Sequence, residues 1–204
     1  MSARPITRAR TAGIEAARSP AGNTRTFLAV VALSLLMLAL PRSTNAQGLD
    51  QIESLLLRGR LTDARNALSL WKEQNPRAAA AQQAHALLLT GQLATDVTSA
   101  MDAYLALALT YPTSPHASTA LLRLGQGLTA TGEAERARGY LERLVRDYPN
   151  MPDRAAAMLW LARAQRATGR DAAACTTLRE AGSLQTTVET SALIEADVSR
   201  ACTS

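Results

Sequence analysis

Aromatic side chains are scarce: one Phe, two Trp and four Tyr among 204 residues. That shortage argues against a β-sandwich, whose strands draw on Val, Ile, Tyr and Phe. An apolar set dominated by alanine and leucine favours helices packed closely through small side chains. Histidine and cysteine are rarer still, with His85, His116, Cys175 and Cys202 the full complement. No cysteine sits in a CxxC, and no carboxylate cluster flanks the cysteines at ligand spacing, which argues against metal binding and thiol catalysis. HExxH, GxSxG, a Ser–His–Asp order and a phosphate-binding glycine loop are all missing. An enzyme needs convergent titratable groups, so the expectation is a protein without catalytic residues, metal or cofactor.

Charge is also less than it looks. The formal net charge is +5, yet residues 1–46 carry Arg4, Arg8, Arg10, Arg18, Arg25 and Arg42 against Glu15 alone. The remainder balances, so no basic stripe is left for nucleic acid. The uncharged run at residues 27–40, FLAVVALSLLMLAL, is shorter than the roughly 20 residues a membrane-spanning helix needs. Preceded by arginines and followed by Pro41 and Thr44-Asn45-Ala46, it reads as a signal peptide, residues 1–46, cleaved after Ala46; the alternatives are an uncleaved N-terminal anchor and a buried helix of the folded domain. The expected mature chain, 47–204, is exported, periplasmic or outer-membrane-associated, with no membrane insertion. In that setting the even cysteine count permits one disulfide, Cys175–Cys202, stapling a terminal helix. The alternative is two semi-buried thiols.

What is present is a repeat. Tyr111-Pro112 returns 37 residues on as Tyr148-Pro149, Gly132 as Gly169, and Ala100 as Ala137 and then Ala174. A period of this size signals stacked supersecondary units. In the third unit, Leu121, Leu124, Gly125 and Leu128 stripe one helix face and Thr131-Gly132 ends it. A second helix then carries Ala137, Leu141, Leu144 and Val145 and stops at Tyr148-Pro149. The fourth unit repeats this through Met158, Leu161, Ala162 and Gln165, a turn at Gly169, then Ala174, Cys175, Leu178 and Ala181. The first runs from a helix capped by Asp50, through Gly59, to Ala64, Leu68, Trp71 and Pro76. The second is irregular, with Gly91 as its turn and four residues more between that turn and Ala100 than the later units have. The predicted units span about 48–76, 77–112, 115–149 and 152–182, with a capping helix at about 190–202. Trp71 reads as a packing anchor on the core face of its helix; Trp160 reads either as another anchor or as exposed at a repeat interface.

These residues resemble the tetratricopeptide repeat. Leu121, Leu124-Gly125, Leu128, Gly132, Ala137, Leu141 and Pro149 follow its pattern in the third unit. Gly59, Ala64, Leu68 and Pro76 follow it in the first. The Tyr-Pro linkers are similar to those of bacterial envelope members: the C-terminal domain of the Tol-Pal-associated cell division coordinator, and the outer-membrane assembly lipoprotein. The coiled-coil segment of the former and the lipid-bearing Cys of the latter are not present here. The resemblance implies an all-α, right-handed solenoid of about four hairpins. It also implies a concave groove lined by the first helices, where another envelope protein or peptide segment binds. By the family pattern the groove positions are His85, Leu88, Leu122, Gln126, Thr129, Leu159, Arg163 and Arg166. Arg163, Arg166 and Gln126 would hold an acidic or extended peptide, or else form a solvated surface with arginine stems over leucines; Leu122 and Leu159 would form an apolar patch for a partner helix, or else be covered by the neighbouring hairpin. Two further readings stay open: a subunit that stacks on copies of itself, and a targeting domain for a cell-wall or outer-membrane enzyme.

Overall fold

The computed structural model describes residues 44–202, with side chains from Gly48 onward. Met1–Ser43, which hold most of the expected leader and all of its apolar run, lie outside the described residues. The described residues form nine helices and no strand: α1 Thr44–Leu57, α2 Leu61–Gln74, α3 Ala80–Leu93, α4 Val97–Thr110, α5 Ala117–Ala130, α6 Ala134–Asp147, α7 Arg154–Ala167, α8 Asp171–Gly182 and α9 Val188–Ala201. Consecutive helices pack on one another. The first helices of successive hairpins also meet, α1 on α3, α5 on α7 and α7 on α9. This is a serial all-α stack of helical hairpins.

Three turns use glycine for backbone geometry. Gly59, Gly132 and Gly169 have φ of 72°, 82° and 73°, in the left-handed region where an L side chain is strained. The hairpin α3–α4 turns differently, and the structure corrects the sequence reading there. Gly91 is no turn residue. It lies inside α3 with its Cα against the Tyr104 ring, where an added Cβ would sit 2.3 Å from a ring carbon. The helix runs one turn further, to Leu93, and the break falls at Ala94–Asp96. Extended backbone at Ala94 and Asp96 makes this turn, and the Asp96 carboxylate accepts from Ser99 N at 2.8 Å, capping α4. With that shift the irregularity disappears: α3, α5 and α7 start at 80, 117 and 154, and α4, α6 and α8 at 97, 134 and 171, 37 residues apart each time. Asp50, expected as an N-cap, lies within α1, which starts earlier.

The core is divided along the stack. Leu49, Ile52, Leu68, Trp71 and Leu89 join α1–α2 to α3. Leu107, Leu121, Leu128, Leu141 and Leu144 fill the middle. Met158, Leu159, Leu178, Ile194 and Ala201 join the last hairpin to α9. Each fully buried leucine contributes about 2 kcal/mol. Gly125 of α5 lies against the Leu141 side chain of α6, its would-be Cβ 2.5 Å from that side chain's carbons.

A disulfide joins Cys175 of α8 to Cys202, the residue after α9, with Cα atoms 5.2 Å apart. It fastens the last helix to the last hairpin. Thr187 caps that helix from the other end, accepting from Thr190 N.

Candidate partner-binding face

The first helices supply the candidate face because each presents one side to the next first helix and another to solvent. With a strict 37-residue step, His85, Leu122 and Leu159 occupy one repeat position. That position points between neighbouring hairpins. Leu122 and Leu159 are 6% and 2% exposed, and Leu88, at the position of Gly125 and Ala162, is 7% exposed. The three leucines expected at the groove surface are therefore core residues. The helices α5 and α7 are covered by their own second helix and by the next first helix, and α3 by α4 and the preceding hairpin, so the apolar patch offered to a partner helix is not there.

Polar residues remain at the surface of this row. Gln126 and Thr129 are half-buried; the Thr129 hydroxyl donates to Gly125 O at 2.7 Å, and Arg123 Nη1 donates to Gln126 Oε1 at 3.2 Å. Trp160 is half-exposed, with the Arg163 guanidinium 4.9 Å over its ring, a cation–π contact.

Arg163 is engaged more firmly by a partner the sequence pattern does not reveal. Its Nε donates to Asp197 Oδ2 at 2.6 Å, and Arg200 Nη1 donates to Asp197 Oδ1 at 3.2 Å. The Asp197 side chain is only 5% exposed, so its charge needs these partners. Arg166 lies 3.8 Å from Asp171 Oδ1, too far for a hydrogen bond but close enough to share charge. The two arginines expected to hold an acidic segment thus already face carboxylates of their own chain. The spacing held a clue. Asp197 follows Arg163 by 34 residues, as α9 follows α7, so α9 behaves as one more first helix.

At the other end of the row, Glu53 of α1, His85 of α3 and His116 at the N-terminus of α5 come together. His85 Nε2 lies 3.5 Å from Glu53 Oε2, and the two imidazole rings stack with centroids 4.7 Å apart and 24° between planes. Burial, and then the neighbouring His85, push the His116 pKa below its ordinary value, with Glu53 opposing. No repeat spacing links these three residues, so only the fold could find them. Among the described residues, no group of His, Cys, Asp and Glu is arranged to hold a metal ion.

Residues 94–152 and 122–183 each match the tetratricopeptide repeat model, so the segment 94–183 is a run of such repeats. Two solved structures of nearly identical TPR-like repeats from a kinesin light chain candidate of Podosopora anserina, one of them a point-substituted version of the other, are similar in fold. They are 17% and 18% identical, with TM-scores of 0.58 and 0.57, each covering 76% of this chain and 84% of its own. No curated protein matches the chain.

Proposed function

We propose that this protein is a non-catalytic adaptor of the cell envelope that holds a protein partner against its row of first helices. Tetratricopeptide repeats generally mediate protein–protein interaction, and serial stacks of hairpins offer extended surfaces for it. The observation that carries the reading is the row itself: Arg123, Gln126, Thr129 and Trp160 stay at least partly accessible along α5 and α7 while their neighbours Leu124, Gly125, Leu128 and Leu159 are buried. The envelope assignment draws on the leader pattern at 1–46 and on the Cys175–Cys202 disulfide, which suits an oxidising compartment. The absence of catalytic chemistry draws on the sequence, which assembles no nucleophile, base and orienting group.

The test is capture of a partner by the immobilised mature chain, 47–204, from envelope extract. Arg123→Glu with Gln126→Glu should abolish capture and leave the fold intact, since both residues are at the surface and bond to each other. Unchanged capture would show that the partner binds elsewhere. Arg163 is the wrong residue for this purpose, because reversing its charge would place two carboxylates together at Asp197 and disturb α9.

A second reading, self-association, draws on leucines left exposed on the N-terminal hairpin: Leu57 at 81%, Leu61 at 42% and Leu70 at 52%. It requires a gel-filtration mass that rises with concentration. The adaptor reading requires one that does not.

A further inference from the structure

We propose that the His85–His116 stack is a pH-sensitive joint between the second and third hairpins, closed while the rings share no more than one proton and opened by a second. The position argues for it first. In the third and fourth hairpins the slot of His85 is filled by the buried leucines Leu122 and Leu159, which tolerate any pH. Only between α3 and α5 does a titratable pair stand there, and this is also where the first helices approach most loosely, unlike α1–α3, α5–α7 and α7–α9. The side-chain bridge therefore links α3 to α5 directly, while α4 and α5 pack across the rest of the joint.

Charge counting gives the switch. Glu53, 3.5 Å from His85 Nε2, balances one proton on the pair. A second would set two cations 4.7 Å apart across stacked faces with a single carboxylate to answer them. The depressed pKa of His116 has that cause in part, after burial. The other charged or titratable groups on the surrounding elements are engaged elsewhere or lie apart. Asp50 of α1 is exposed to solvent and does not contribute to the His116 shift. Tyr111 of the linker bonds Gln83 of α3, and Arg123 of α5 bonds Gln126 about two turns from His116. Asp102 and Tyr104 of α4 do not contribute to the His116 shift, and α3 has no ionisable residue besides His85. The ring of His116 is held in place through its backbone, whose N–H donates to Ser114 Oγ at 3.2 Å.

The experiment is amide hydrogen exchange on the mature chain between about pH 7.5 and about pH 5, corrected for intrinsic exchange, the range in which histidine changes charge. Wild type should lose protection in Ala117–Leu121 and the 111–116 linker on acidification, by up to about tenfold per pH unit between the ordinary histidine value and the lower one of His116. Exchange in α7–α9 should not follow. His116→Phe, which keeps a ring without its charge, should flatten the profile. His85→Leu, which installs the residue of the later hairpins, should do the same. Identical profiles for wild type and either variant would overturn the proposal. So would an imidazole C2–H titration of wild type placing His116 at or above the ordinary value, a measurement that needs no variant.

Discussion

At Gly125 the chain has no room for a methyl group, whereas at Gly132 it has room but the wrong backbone. An added Cβ on Gly125 meets Leu141 at 2.5 Å, while at Gly132, φ 82°, nothing lies within 4 Å. Alanine at either site should cost a similar amount for different reasons. Overpacking less the helix gain costs about 1–2 kcal/mol at Gly125, and left-handed strain costs about 1–2 kcal/mol at Gly132. Combining each with Leu141→Ala separates them in urea unfolding. Gly125→Ala should couple to Leu141→Ala by about 1 kcal/mol, because removing the leucine tip makes room for the methyl group. Gly132→Ala should add independently, within about 0.5 kcal/mol.

Among elements, α4 and α9 depend most visibly on their ends. The α3–α4 turn has Thr95 between its two extended residues and relies on Asp96 rather than a left-handed glycine. Thr95→Gly should therefore bring no gain, and Asp96→Ala should lower thermal stability. Hydrogen bonds from Ser99, backbone first and then side chain, hold the Asp96 pKa below its ordinary value. The contribution of this cap is thus complete above the ordinary aspartate pKa and is lost as pH falls through the lower folded value; an acid titration of helix content in Asp96→Asn should lack that component. For α9, the disulfide closes a segment of 27 residues, and opening it should cost about 2–4 kcal/mol. Exchange protection should fall along 188–202 on reduction and stay unchanged in α3–α6. A loss spread through the whole stack would contradict the division of the core.

At the scale of the whole stack, the described helices are held by neighbour contacts, so stability is graded along them. The two ends of the stack are unequal. Both leave apolar side chains in solvent, Leu57 and Leu70 on the N-terminal hairpin and Val188 on α9, but only α9 is fastened by a disulfide. Native-state exchange should show α1 and α2 opening first and the α4–α6 centre last. A single cooperative transition in which all helices lose protection together would rule this out. The envelope reading has its own check at this scale: cell fractionation should recover an oxidised chain whose N-terminus is Gln47, and a chain found reduced with residues 1–46 attached would remove its support.

Much of the architecture was written in local chemistry. The helix stripes, the Gly59, Gly132 and Gly169 breaks and the 37-residue step depend on residues near one another along the chain, so the sequence specified the hairpins and their serial order. It misled at Gly91, because a glycine that ends a helix and one that admits a neighbouring ring are the same letter, and only Tyr104 tells them apart. The surface was less legible. Whether Leu122 and Leu159 face a partner or the next hairpin, whether Arg163 is available or held by Asp197, and whether His85 meets His116 all depend on residues more than 30 positions apart brought together by stacking. Local sequence settles which residues form a helix; which side of that helix remains in water is a property of what packs against it.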